Sequence, residues 1–331
     1  MVMEFFLFVL KVATVAIAIV LIWVLTRQGG RSDQGPLLHK LNTVFRERQL
    51  TWLGTLAKEG SAYDKAQLKA VKKQHKQQKA IDKKEKSKQK RFFVIKFKGN
   101  VQATAVRDLR DEITMVLQVA DQQDEMIICI ESPGGAVSSY GLAAAQLERV
   151  RDAEVELTVC VDKVAASGGY LMAAVANTII AAPFAVIGSI GVVTQIPNIH
   201  KLLKKNDIDV MELTAGKHKR SLSVLGATTQ EGKQHVLDQL QLIHSQFKDV
   251  VSQYRSQVDL EQVATGDYWT ARIAQGFGLV DRLQTSDEYI QQAMSIGCVY
   301  EVKTPKKTQW VEKLTQGIHS ALIEVLQPLM N

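Results

Sequence analysis

The chain has 331 residues, 46% of them apolar, and a net charge of +7; this is enough for one large domain or two ordinary ones, with a sizeable core. The positive charge is local: twelve of the 41 basic residues but only two of the 34 acidic ones fall between Lys65 and Arg91, so the remainder is slightly acidic. Three cysteines, Cys129, Cys160 and Cys298, exclude a fully paired disulfide framework, and without a CxxC or a Cys/His cluster no structural zinc is expected.

Residues Phe5 to Leu25, FFLFVLKVATVAIAIVLIWVL, are apolar except for Lys11 and Thr14, long enough to cross a bilayer as a helix. A cleaved signal peptide would need a small-x-small site after it. The sequence continues TRQGGRSD instead, so an uncleaved single-pass anchor over 1–27 is the better reading. Arg27 and Arg31 follow the span and Glu4 precedes it, a two-charge bias that would put the C-terminal side in the cytoplasm. Residues 28–64 read as mixed and loosely structured. AQLKAVKKQHKQQKAIDKKEKSKQKR, which ends at Arg91, cannot bury a core and reads as a solvated helix or stalk. Contact with anionic lipid is its alternative role, and nucleic acid is not expected because no aromatic residues interleave the charges.

A globular pattern begins at Phe92. FFVIKF, MIICIES, ELTVCVD and NTIIAAP read as strands. Val106–Val119, Ala136–Val150 and the small, apolar Ser167–Ala176 read as helices between them, so the spacing predicts an α/β fold of repeated strand–helix units. Further on, helices are expected over Pro197–Asn206, over Thr229–Gln257 and from Ser286, and VMEL (Val210–Leu213) looks like a strand. The tail from Thr308 to Leu329 is amphipathic, which suits packing against a sister subunit or, as the minor reading, a membrane surface.

Two glycine-rich turns follow apolar strands. In Glu131-Ser132-Pro133-Gly134-Gly135-Ala136 the paired glycines let backbone N–H groups face a ligand. In Val164-Ala165-Ala166-Ser167-Gly168-Gly169-Tyr170 the serine has only small residues beside it. Ser167 is either a nucleophile in a loosened G-x-S-x-G elbow or a plain helix cap, and local context does not separate the two. A serine nucleophile needs a base. Of the seven histidines, His39 and His75 precede the globular part, and His235, His244 and His319 lie on amphipathic helix patterns; only His200 and His218 stay open. The alternative is a lysine in Thr214-Ala215-Gly216-Lys217-His218-Lys219-Arg220. A lysine amine ordinarily titrates at about 10.4, and acting as a base near neutrality needs that lowered by about 3, roughly 4 kcal/mol, which apolar burial supplies. Lys217 and Lys219 are not distinguished by these arguments.

ESPGGAV, DKVAASGGYLMA, PFAVIGSIGVV, TAGKHKRSLS and ATGDYWTARIAQGFGLVD, in this order, resemble the signal peptide peptidase A family of serine proteases, peptidase family S49. The resemblance covers about Phe92 to Met294 and implies a ClpP/crotonase-like fold of stacked ββα units, with a protease domain over 92–298 and a tail over 299–331. It implies Ser167 as nucleophile and Lys219, in the AGxxK pattern, as general base. It further implies oxyanion donors at Gly135 and Gly168, Ser189 in GSIG orienting the lysine, and a peptide lying near Gly134, Ala136 and Gly191. The ClpP branch carries its histidine a couple of dozen residues past the serine. Here IGSIGVVT has none. No metal or cofactor is implied. The implied setting is the bacterial inner membrane with the protease domain on the periplasmic side, which disagrees with the charge bias after the span. The implied partners are a peptide or protein substrate, membrane lipid and further copies of the chain. Relatives differ in whether the lysine comes from the same subunit or a neighbour. The rival readings are a non-catalytic peptide-binding scaffold and an acyl-CoA enzyme of the crotonase type.

Overall fold

The computed structural model describes residues 35–305, except 61, 85–88 and 217. The expected anchor and most of the expected tail lie outside the described residues; among the described ones no helix is long and apolar enough to cross a membrane. The body spans Leu38–Lys303.

Its main sheet holds seven strands. In sequence they are β1 (Leu37–Lys40), β2 (Arg91–Lys98), β3 (Glu125–Glu131), β4 (Glu156–Val161), β6 (Thr178–Ala181), β9 (Arg282–Leu283) and β10 (Cys298–Lys303), in the spatial order β1-β10-β2-β3-β4-β6-β9. From β10 to β9 every pairing is parallel, with Cys298 opposite Arg91 and Phe92 opposite Glu125. A parallel sheet is covered on both faces, so its strands are apolar throughout. β2 shows this residue by residue: Phe93, Ile95 and Phe97 enter the larger core while Phe92 and Val94 enter a smaller one on the other face, the two-residue alternation of a strand. Helices α3 (Val106–Leu117) and α4 (Val137–Asp152) follow β2 and β3. α3 buries Val106, Leu109, Ile113 and Val116, the helical spacing read in the sequence.

A second sheet holds three short strands in the order β5 (Val164–Ala166), β7 (Val186–Gly188) and β8 (Tyr268–Thr270). β5 and β7 are parallel, β7 and β8 antiparallel. Between β5 and β6 lies the short helix α5 (Gly168–Ala174). The remaining helices are α6 (His200–Lys205), α7 (Gln230–Tyr254), α8 (Leu260–Val263), α9 (Ala271–Gly276) and α10 (Ser286–Ile296). α10 starts with a capping box between Thr285 and Glu288. At the end of α7 the buried Arg255 forks onto Asp281, at 2.7 Å and 3.0 Å, and donates to the Gly278 carbonyl at 3.0 Å. Asp281 in turn accepts from the Ile179 N–H at 2.7 Å, so this pair ties α7 to β6.

Three sequence expectations change. The segment expected to be loose contains the helix α1 (Leu41–Glu59), whose first turn is docked: Asn42 donates to the Gly297 carbonyl at 3.0 Å and accepts from the Val299 N–H at 2.7 Å. The basic segment contains the helix α2 (Ala62–Lys84), the helix rather than the stalk of the two forms expected. VMEL is not a strand: it pairs with none of the described strands, and Met211 and Leu213 are 85% and 86% exposed. The sheet also runs on through Lys303, past the boundary expected at 298.

Candidate functional site

The two glycine-rich turns meet. Where β3 ends, the Ser132 N–H donates to the Val164 carbonyl at 2.8 Å and the Ser132 carbonyl accepts from the Ala166 N–H at 3.0 Å, so the first turn is stitched to β5. The turn then passes over the start of α5. Gly134 has φ +89°, and a Cβ there would lie 2.7 Å from the Gly168 nitrogen and 2.7 Å from Ser167 Cβ; only glycine fits. Gly168 is equally constrained from below, where a Cβ would meet the Tyr140 ring at 2.4 Å.

Beneath this contact runs a buried chain of hydrogen bonds. The Gly134 N–H donates to Ser132 Oγ at 3.1 Å, Ser132 Oγ lies 2.5 Å from the Tyr140 hydroxyl, and that hydroxyl donates to the Asn100 carbonyl at 2.8 Å. With Tyr140 donating to Asn100, Ser132 must donate to Tyr140, so each member both gives and receives. Burial pushes the Tyr140 phenol above its ordinary value, against the smaller opposing effect of the Ser132 bond. Neither the Gly135 nor the Gly168 N–H donates to an acceptor among the described residues, whereas the Ala136 N–H is committed to the Val101 carbonyl at 2.8 Å.

Ser167 stands at the N-cap position of α5 with φ +50° and ψ −122°, and its side chain caps nothing. Of the two sequence readings of this serine, the helix cap is therefore removed. A non-glycine residue held there stores on the order of 1–3 kcal/mol of strain. The backbone is fixed on both sides: the Ser167 N–H donates to the Gly188 carbonyl at 2.8 Å and its carbonyl accepts from the Leu171 N–H at 2.9 Å. The hydroxyl has no hydrogen-bond partner among the described residues.

The Gly188 contact leads to the next motif. Gly188 and Ser189 both have positive φ, at 110° and 54°. A Cβ on Gly188 would touch the Trp269 ring at 2.9 Å, and the Ser189 N–H donates to the Asp267 carbonyl at 2.6 Å. Gly191, two residues on, faces Gly266. Ser167, Gly134, Gly168 and Ser189 thus belong to one backbone-bonded assembly.

Lys219 belongs to another turn. It is exposed, in the turn that follows the irregular 206–216 stretch. With His218, Arg220, Ser221, Leu222, His235 and Val236, among others, it lines a cavity of about 520 Å³ that Ser167 does not line. Ser167 and Lys219 share no hydrogen bond within the chain. Lys217 lies outside the described residues. His200 holds the Leu225 carbonyl at 3.2 Å and His218 stacks on His235, so neither of the two histidines left open is bonded to Ser167. Among the described residues no group of three or more His, Cys, Asp or Glu side chains is placed to hold a metal.

The residues that sequence reasoning missed are Ser132, Tyr140 and Asn100, which hold the Gly134 turn, and Trp269, which packs on Gly188. Ser132 carried a signal, being a polar residue at the end of an apolar strand; its partners eight and thirty-two residues away carried none.

Profiles for peptidase family S49 N-terminal and peptidase family S49 match residues 1–147 and 149–298. A Haemophilus influenzae protein named "Probable protease SohB" is 46% identical over 71% of this chain and 66% of its own length, so the chain spans just under two thirds of that relative. A protein of the same name from Buchnera aphidicola subsp. Acyrthosiphon pisum is 43% identical over 73% of the chain and 72% of its own length. "Protease 4" of Salmonella typhi is 23% identical over 70% of the chain. The strained serine, the glycine turn that meets it and these matches agree: the chain belongs to peptidase family S49.

Proposed function

We propose that the chain is a membrane-anchored serine endopeptidase that hydrolyses peptide bonds through an acyl-enzyme, with Ser167 as nucleophile and Lys219 as general base. The observation that carries this is Ser167 itself. Its backbone is strained and bonded on both sides, its hydroxyl is uncommitted, and two N–H groups, Gly135 and Gly168, are free beside the same turn. The two sheets joined at Ser132 and Ala165 support the finer reading of a ClpP/crotonase-like fold.

In the reaction the Lys219 amine, exposed within one chain and able to act as a base once a neighbouring copy covers it, takes the Ser167 proton as Oγ bonds to the peptide carbonyl carbon. The Gly135 and Gly168 N–H groups stabilise the oxyanion, worth roughly 3 kcal/mol each. The lysinium returns the proton to the leaving amine, and water, deprotonated in the same way, releases the acyl group. Ser189 orients the lysine, and the peptide runs past Gly134, Ala136 and Gly191. The Ala136 carbonyl would serve rather than its N–H, which is occupied. No metal or cofactor takes part.

Lys219 is not bonded to Ser167 within one chain, which favours completion of the dyad by a neighbouring copy. Val193, Met211 and Leu213, at 81%, 85% and 86% exposure, supply apolar surface for that homo-oligomer. The anchor over 1–27 and the basic helix α2, reached through the docked α1, hold the protease domain at the bacterial inner membrane, on its periplasmic side, against membrane lipid, where signal-peptide remnants and membrane or misfolded protein fragments are the substrates.

The test is peptide hydrolysis and fluorophosphonate labelling by the full chain in detergent. Wild type labels at Ser167 and cleaves; Ser167→Ala and Lys219→Ala stay folded and lose nearly all hydrolysis. Absence of labelling at alkaline pH would favour the scaffold reading instead.

A further inference from the structure

The turn that carries Lys219 is seated on the first two turns of α7 by two separate contacts. Gly232, whose N–H is capped by Thr229 Oγ1 at 3.0 Å, lies directly under the Ser221 backbone: a Cβ on it would sit 1.9 Å from the Ser221 carbonyl oxygen. No side chain can rotate out of the way there, so this approach exists only because residue 232 is glycine. Three residues on, the His235 ring stacks on His218, with centroids 4.0 Å apart and planes 16° from parallel. Positions 232 and 235 share one helix face, and their partners, Ser221 and His218, bracket Lys219 and Arg220. Arg220 is drawn off to Glu212 at 3.2 Å, and the Lys219 N–H is held by the Gly216 carbonyl at 3.2 Å. The backbone of residue 219 is thus fixed from three sides while its amine projects from an exposed turn.

We infer that Gly232 and His235 are positioning residues: the face of α7 sets where the Lys219 amine stands. This rests on Lys219 being the base. It holds whether the lysine serves its own subunit or a neighbour, because both contacts are made within the chain that carries it. His235 then has a task that its place on an amphipathic helix does not announce, one met by a flat ring rather than by an imidazole's proton chemistry. A turn freed of its stack moves the amine, and a displacement of about 1 Å at a reacting group costs on the order of 100-fold in rate.

The experiment compares wild type with His235→Ala, His235→Gln, His235→Phe, Lys219→Ala and, as a neighbouring control on the same helix, Lys233→Ala. It uses the full chain in detergent, with folding checked by circular dichroism. The readouts are kcat and KM for a peptide substrate and the rate of fluorophosphonate labelling. His235→Ala and His235→Gln should lower kcat and the labelling rate by roughly 10- to 100-fold with KM little changed. His235→Phe should restore most of the loss, since phenylalanine keeps a planar face against His218, and Lys233→Ala should match wild type. Wild-type kcat and labelling in His235→Gln, or a loss that phenylalanine does not restore, would overturn the inference. An inactive Lys219→Ala beside an unaffected His235→Gln sinks this inference alone. A fully active Lys219→Ala sinks the base assignment, and this inference with it.

Discussion

Replacing Gly134 by alanine tests the site at its tightest point. The new methyl would lie 2.7 Å from the Gly168 nitrogen, 2.7 Å from Ser167 Cβ and 2.8 Å from the Ala166 carbonyl oxygen, none of which belongs to a side chain that can swing away. Holding alanine at φ +89° costs about 1–2 kcal/mol, and relieving the overpacking costs about 1–3 kcal/mol more, so the folded state should lose roughly 2–5 kcal/mol. The effect on chemistry is more specific. Separating the methyl from the Gly168 nitrogen displaces the N–H proposed to hold the oxyanion, and loss of one such donor lowers kcat by about 100- to 1,000-fold. Gly141→Ala is the matched control. It lies inside α4 with nothing within 4 Å of its added methyl, so the same substitution there should stabilise by up to about 1 kcal/mol and leave activity alone. Denaturant midpoints give the stability difference, and fluorophosphonate labelling below the midpoint gives the chemical one. If folded Gly134→Ala labels within about 3-fold of wild type, a difference under 1 kcal/mol in the barrier, the turn does not hold the reacting groups and the reasoning fails.

Tyr140→Phe removes the hydroxyl between Ser132 and the Asn100 carbonyl, leaving a buried serine short of an acceptor; about 1–3 kcal/mol should be lost in chemical denaturation. The double variant with Ser132→Ala should lose less than the two single effects added together. Arg255→Met strips the buried partner from Asp281 and should cost roughly 3 kcal/mol, the low end for breaking a buried pair, because Asp281 keeps the Ile179 N–H and a third of its surface in water. Hydrogen bonds from Lys98 and then Lys163 hold the Glu131 carboxyl below its ordinary value of 4.5. A depressed carboxylate stabilises fully above that value and loses its contribution as pH falls through its folded one. The melting temperature of wild type should therefore exceed that of Glu131→Gln at neutral pH, with the gap closing in acid below pH 4.5.

Much of the fold was legible because burial leaves a period in the sequence. β2 and α3 show it: the alternation of Phe92 to Phe97 and the three-and-four spacing of Val106 to Val116 each state which face goes inward. α1 was missed because it is held by Asn42 at its first turn, with Ala57 the one buried residue among its described side chains, so no apolar stripe announces it. VMEL was misread because an apolar run says that a segment seeks cover without saying what covers it. At the site, glycines and small residues marked the two turns that the structure brings together. The backbone strain at Ser167 could not be read, since one residue name serves a helix cap and a strained turn alike. Contacts such as Ser132 with Tyr140, or Gly232 with Ser221, depend on how separate elements are brought together, and a linear pattern does not encode that.

The position of β10 has a consequence for how the molecule is made. β2 is among the first parts of the body to leave the ribosome, yet the neighbour on one of its sides is β10, with Arg91 opposite Cys298. At about 5–20 residues per second that neighbour emerges roughly 10–40 seconds later. Throughout that interval an apolar strand containing Phe92 and Val94 has an unpaired row of amides and carbonyls, the arrangement most prone to joining another nascent chain. Translation speed and the presence of a holding chaperone should therefore govern the yield of this protein more strongly than its final stability does.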